Sequence, residues 1–187
     1  FIQQKITNSP NIMLVHVAAG MGASFFINGG LVDRGGDEGW IGQIKIQGLT
    51  GSNKEKSSLN DCVSGRAILN RLSEETNFSI TSPFDFASNF KKAVKHANIT
   101  NSGYQKIFYE AGYTLGENLF YLSFGFKTDA VVLGGPIRHS IPFKKGLRLG
   151  FKNASQDVVE PFTSIEVNQS SYLDAAEIIA LREHFYS

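Results

Sequence analysis

The segment IMLVHVAAGMGASFFINGGLV, from Ile12 to Val32, constrains the fold of this chain more than any other. Ile12 to Ala18 is a β-branched, apolar run bounded by NSPN on one side and by glycines on the other, which is the pattern of a well-buried strand. Ala23–Ile27 and Leu31–Val32 then flank Asn28 and Gly29, a pair that readily takes the positive φ of a tight hairpin turn. Between the first strand and this hairpin lie Gly20, Met21, Gly22 and Ala23. Two roles fit such a turn. Its backbone N–H groups can approach phosphate oxygens because no side chains intervene, or its glycines merely let a strand reverse. The spacing alone does not choose between them.

The rest of the chain alternates strands and helices. Ile41–Ile46, IGQIKI, alternates like a further strand, and QGLTGSNKEKSS after it reads as a solvated loop. From Leu59 the spacing of Leu59, Val63, Ala67 and Leu69 is helical, with Asn60 or Asp61 placed to cap. A second helix is expected over Asp85–Ala97. The longest should run from Ser102 to Gly125, with Phe108, Ala111, Leu115, Leu119, Leu122 and Phe126 on one buried face. DAVVLGGPI is a short buried strand ending in Gly134 and Gly135. A helix in HSIPFKKGLRLGF, a strand in TSIEVN and a closing helix over Leu173–Phe185 complete the order. Three antiparallel strands, two later parallel strands and helices on both faces make an α/β arrangement with a mixed five-stranded sheet, which is the ribonuclease H-like plan. No repeat or linker divides the 187 residues, and 42% apolar composition is enough for one substantial core.

Several function classes are disfavoured at this point. The net charge is +1, from 18 basic and 17 acidic side chains spread along the chain, so no broad basic surface for nucleic acid or anionic membrane is implied. No apolar run approaches the ~20 residues of a membrane helix. Cys62 is the only cysteine, which excludes an intrachain disulfide and a multi-thiolate zinc site and fits a cytoplasmic protein. His16, His96, His139 and His184 are far apart in sequence and read as structural or exposed. Ser64 has no base beside it in a recognisable signature, so it reads as a helix cap and not a nucleophile. The chain starts at Phe1 and not at methionine, as expected of a piece of a longer protein.

Five motifs, in order, resemble the C-terminal lobe of the ROK family, whose members are bacterial sugar kinases and sugar-responsive repressors on the actin/hexokinase fold. AAGMGASFFINGGLV lies where that family has a GTGIGAG turn and hairpin, and GWIGQIKI where it has GEIGH and a strand. LNDCVSGRAI resembles its LExxASGxAI helix start, DAVVLGGPI its PxxIVLGG strand, and SSYLDAAEIIAL its closing helix. The resemblance implies a nucleotide site at Gly20, Met21, Gly22, Ala23, Gly134 and Gly135. Tight packing of strand and helix explains Gly134 and Gly135 equally well. It places sugar contacts at Trp40, Gln43 and Asn60, where the family carries a glutamate, a histidine and a second glutamate.

The departures matter as much as the matches. The threonine of the family turn is Ala19 here, and its outer glycines are Ala18 and Ser24, so any ATP binding is expected to be weak. Trp40 can stack on a sugar, and Gln43 and Asn60 can bond its hydroxyls, but the charges are gone. A core or interface role suits Trp40 at least as well. The zinc ligands of many family members are absent, because Gln43 replaces the histidine and no cysteine cluster follows. Neither the DxGGT loop nor the catalytic aspartate of the family occurs, and Asp33 and Asp37 stand where the family has no base. No catalytic residue is therefore assigned. The expectation is one C-terminal lobe over residues 1–187, without independent activity, from a carbohydrate-responsive regulator or a decayed kinase. It would bind a sugar, and it admits homo-oligomers. The alternatives are the C-terminal lobe of a working ATP-dependent sugar kinase and, with least support, a self-associating actin-like protein.

Overall fold

The computed structural model of the chain describes residues 10–32, 39–47, 56–82, 84–99, 103–156 and 164–167. β1 (Ile12–Val17), β2 (Met21–Ile27) and β3 (Gly30–Leu31) form an antiparallel trio turned at Asn28 and Gly29, whose φ angles are 51° and 78°. β6 (Ala130–Gly134) and β7 (Ser164–Val167) add in parallel, giving a five-stranded sheet of order β3-β2-β1-β6-β7. This is the expected mixed sheet. β1 is its centre: Ile12 stands opposite Phe26 on one side and Ala130 on the other.

Alternation along β1 divides the sheet into two faces. Met13, Val15 and Val17, with Phe25, Val131 and Leu133, join the main core. Ile12 packs with Phe26 and Val132, against Leu14 and Leu31, in a small second cluster. The described helices build on the first face: α1 (Leu59–Val63), α2 (Gly65–Glu75), α3 (Phe86–Ile99), α4 (Gly103–Phe126) and α5 (Ile141–Ala154). The closing helix expected over residues 173–185 lies outside the described residues.

Two expectations need correction between residues 41 and 75. Ile41–Gln43 is a 3-10 turn and not a strand. Only Lys45–Gln47 (β4) is extended, and it pairs with Lys56–Ser58 (β5) in a separate two-stranded ribbon that takes up both ends of the expected loop. The reason is spacing: Ile41 and Ile44 are three apart and Ile44 and Ile46 two apart, and all three reach the main core. The helix from Leu59 is likewise two helices. Ser58, not Asn60 or Asp61, is the cap of α1, and its hydroxyl and the Asp61 carboxylate form a reciprocal capping box. Ser64 is extended, ends α1 and caps α2 by accepting from the Ala67 N–H at 3.2 Å. The reading of Ser64 as a cap is thus seen in the structure.

α4 and α5 lie almost backbone to backbone. A Cβ on Gly112 or Gly116 would strike the carbonyl of Phe143 or Leu147, and one on Gly146 or Gly150 would strike that of Tyr109 or Tyr113. The two GxxxG pairs face each other, and the buried Phe108, Leu115, Phe143 and Leu147 close around them.

Candidate functional site

The end of β1 is tied to the start of α2. The Gly65 N–H donates to the Ala18 carbonyl at 2.7 Å and the Arg66 N–H to that of Ala19 at 3.2 Å. The first N–H groups of α2 are thereby satisfied by the glycine loop itself. Within the loop the Ala18 N–H donates to the Gly20 carbonyl at 2.8 Å, and the Met21 N–H donates to Asn60 Oδ1 at 3.2 Å. The Ala23 N–H donates to the Gly39 carbonyl at 2.8 Å, so the segment before the 3-10 turn lies against β2. Gly39, at φ 90°, has no room for a Cβ against Ala23. A Cβ on Gly42 would stand 3.0 Å from Met21 Cγ and 3.2 Å from Asn60 Cβ.

Residues some twenty and forty positions apart are thus gathered into one place. The turn Gly20–Ala23, the buried Gly42 beside the exposed Gln43, Trp40 and Asn60 are neighbours along a continuous set of contacts. A core role for Trp40 is overturned, because it is 64% exposed. The site presents an indole face, a primary amide in Gln43 and a second amide in Asn60 that already holds the loop. These groups can stack on a ring and exchange hydrogen bonds with hydroxyls. None of them can take a proton from a hydroxyl at neutral pH. The neighbouring Asp61 accepts from the Ser58 hydroxyl at 2.6 Å and the Ser58 N–H at 3.0 Å, which holds its carboxyl below the usual range.

The second glycine pair lies at the end of the adjoining strand. Gly134 is in register with His16, and a Cβ there would sit 3.4 Å from His16 Nδ1. Gly135 adopts φ 85° and presses on the Val17 backbone, where a side chain would not fit. Both glycine motifs therefore occupy the carboxyl ends of neighbouring strands, where ligands approach α/β sheets. Gly135 opens a 3-10 turn, Pro136–His139, in which the Arg138 N–H and Nη1 donate to the Gly135 carbonyl at 3.2 and 3.3 Å.

Arg138 carries no sequence signal of its own, and the spacing of His16 marks it only as structural. What brings them together is folded geometry: His16 on β1 stands opposite Gly134 on β6, and Arg138 follows in the 3-10 turn opened by Gly135. Burial, and then the Arg138 guanidinium, push the His16 imidazole below its ordinary 6.5, and burial, Arg138 and Lys144 do the same to His139. A lowered folded value means that the unfolded chain binds the proton first. Stability should be fully present above pH 6.5 and decline as the pH falls through the lowered folded values. Urea unfolding at several pH values checks this, and His16→Asn should flatten the decline.

Among the described residues no three His, Cys, Asp or Glu side chains converge as metal ligands, and no helix is long and apolar enough to cross a membrane. Cys62 is buried in α1, and His96 stacks on Tyr104 at 5.5 Å. Asp33, Asp37 and His184 lie outside the described residues.

With this geometry in view, similarity to known proteins is informative. A family model described as the ROK family matches residues 2–179. No curated protein matches the sequence. Among solved structures, a ROK family glucokinase from Streptomyces griseus, in complex with glucose and AMPPNP, superposes with a TM-score of 0.71 at 18% identity, over 88% of this chain and 57% of its own. A ROK family protein from Streptococcus pneumoniae, in complex with sucrose, gives 0.70 at 18% identity, over 94% and 60%. A ROK family transcriptional regulator, a homolog of the E. coli MLC protein, gives 0.70 at 17% identity, over 86% and 42%. The chain spans only about two fifths to three fifths of the length of these structures. The likeness establishes the fold as the actin/hexokinase-like α/β type.

Proposed function

The chain belongs to the ROK family, and from that footing we propose that it is the C-terminal lobe of a carbohydrate-responsive ROK protein that binds a sugar without phosphorylating it. One observation carries this reading: the exposed Trp40 and Gln43 and the half-buried Asn60, none of them charged, are gathered beside the glycine turn, with Asn60 Oδ1 accepting from the Met21 N–H. Trp40 stacks on the sugar ring, Gln43 bonds its hydroxyls, and Asn60 fixes the turn beneath. Gly20, Met21, Gly22 and Ala23, with Gly134 and Gly135, would receive a nucleotide weakly, because the Met21 N–H is already engaged and Ala19 brings no hydroxyl. The protein would work in the cytoplasm and could associate with copies of itself.

A second reading has its own support. Both glycine motifs stand at the ends of β1 and β6, and the fold is that of a glucokinase crystallised with AMPPNP. On that reading the chain is the C-terminal lobe of a working sugar kinase whose other lobe supplies the base. The full reading frame separates the two: an upstream DNA-binding segment supports the first, an upstream DxGGT loop the second.

Calorimetry with common hexoses and N-acetylhexosamines tests the sugar site. Trp40→Ala should weaken the best sugar about tenfold with the melting temperature unchanged, the order of one lost stacking contact. Binding that is indifferent to Trp40, or no binding to any of these sugars, would sink the assignment.

A further inference from the structure

A groove of about 540 Å³ opens between the end of α3, the first turns of α4 and the start of α5. Its size is that of a small-molecule site. It shares no residue with the glycine-turn site. Lys106 on α4 and Lys145 on α5 line it, together with Gln105 and Tyr109, and among the described residues no carboxylate does. Ala97, Ile141 and Pro142 supply the apolar part of its wall.

The charge around this groove is one-sided. Residues 136–154 carry Arg138, Lys144, Lys145, Arg148 and Lys152 and no aspartate or glutamate, in a chain whose net charge is only +1. Lys144 and Lys145 also lie toward the positive end of the α5 dipole, where an anion is favoured over further cations. The first N–H groups of α5 do not await a ligand: the Ile141 N–H donates to Asn98 Oδ1 at 2.8 Å and the Phe143 N–H to Ser140 Oγ at 3.4 Å. The Asn98 amide also donates to the His139 carbonyl at 2.9 Å, which fixes this wall of the groove. Lys106 is only loosely held, 3.8 Å from Glu110, whose carboxylate is bonded more closely by Arg71 at 2.8 Å. Among the described residues Lys106 thus has only this long contact to a carboxylate and Lys145 has none within ion-pair distance, so both ammonium groups can turn to an entering anion.

We propose that this groove is a second ligand site and that it takes a small phosphate monoester, with Lys106 and Lys145 on the phosphate and Gln105 and Tyr109 bonding the hydroxyl-bearing body. The proposal does not depend on the sugar site. Glucose 6-phosphate and adenosine 5′-monophosphate share this chemistry, and each is titrated calorimetrically beside glucose, adenosine and inorganic phosphate. A monoester should bind more tightly than its unphosphorylated parent, and whichever of the two does so identifies the source.

Lys106→Met and Lys145→Met should each weaken that binding about tenfold, the worth of one charge-assisted contact. Lys145→Arg should retain it, and Lys152→Met, at the far end of α5, should leave it unchanged. Asn60→Ala, at the other site, should also leave it unchanged. Wild-type affinity in both methionine variants, equal loss with Lys152→Met, loss with Asn60→Ala, or no monoester binding at all would each overturn the proposal. Hexose binding sensitive to Trp40 would still stand in any of those cases, so the two readings fail separately. All the lysines involved are exposed, and a melting temperature equal to that of the parent confirms that each variant is folded.

Discussion

Gly116→Ala or Gly146→Ala should destabilise the protein by about 3 kcal/mol, the upper part of the range for overfilling a packed interior, although alanine is the better helix former. At both positions the added methyl would meet a backbone carbonyl of the facing helix, Leu147 or Tyr109, which cannot rotate away as a side chain could. The helices must separate, and with them the buried Phe108, Leu115, Phe143 and Leu147 lose contact. Gly125 supplies the control. It lies in α4 with nothing within 4 Å of a Cβ, so Gly125→Ala should stabilise by about 0.5–1 kcal/mol through helix propensity alone. Urea unfolding of the three variants reads the opposite signs directly. A neutral Gly116→Ala would mean that α4 and α5 are not in backbone contact. Against a typical stability of about 5–15 kcal/mol, losing both contacts approaches unfolding.

That helix pair also shows where sequence reading ends. The face of α4 that includes Phe108, Ala111, Leu115 and Leu119 is legible because the apolar spacing is helical, and each of these residues is fully buried; the expectation fails toward the end of the helix, where Leu122 is half-buried and Phe126 is 51% exposed. Gly112 and Gly116 carry no hydrophobic signal, and their partners lie thirty residues on, so only the folded contact reveals them. The hairpin was legible for the opposite reason: Asn28 and Gly29 announce their backbone conformation locally, and both adopt positive φ. The break at Ser64 was hidden by continuous helical spacing from Leu59 to Leu69. What interrupts it is tertiary, the capture of the Gly65 and Arg66 N–H groups by the loop after β1. The site was partly legible in the same sense. The likeness to a family placed Trp40, Gln43 and Asn60 near the glycine turn, but the bond from the Met21 N–H to Asn60 follows from no spacing. His16 and Arg138 acquired meaning only through the register of two parallel strands.

The 187-residue chain by itself should phosphorylate no hexose. Phosphoryl transfer requires the nucleotide and the acceptor hydroxyl to be held in line, and a base aimed at that hydroxyl, which alone is worth about 100- to 10,000-fold. Trp40, Gln43 and Asn60 provide no such base. Among the described residues the carboxylate beside the cluster is Asp61, which is committed to the Ser58 capping box and held below the usual carboxylate range, not raised toward the near-neutral value a base needs. Freeing it by Ser58→Ala would remove the cap and cost about 1 kcal/mol without aiming the carboxylate anywhere new. The nucleotide side is similarly depleted, since the Met21 N–H is bonded to Asn60 and the turn has an alanine where a hydroxyl would help. A coupled assay with ATP and a panel of hexoses should therefore stay at background for the wild type. Trp40→Glu combined with Gln43→His should raise sugar affinity, because a carboxylate and an imidazole are stronger partners for hydroxyls than the indole and amide they replace, and the 3-10 turn that ends at Gln43 and has Trp40 at its N-cap is already seated on the glycine turn through the buried Gly42. It should still give no turnover, for neither new group replaces a base on the missing side of the sugar. Turnover by the wild type would mean that the uncharged cluster is a change of specificity and not a loss of catalysis.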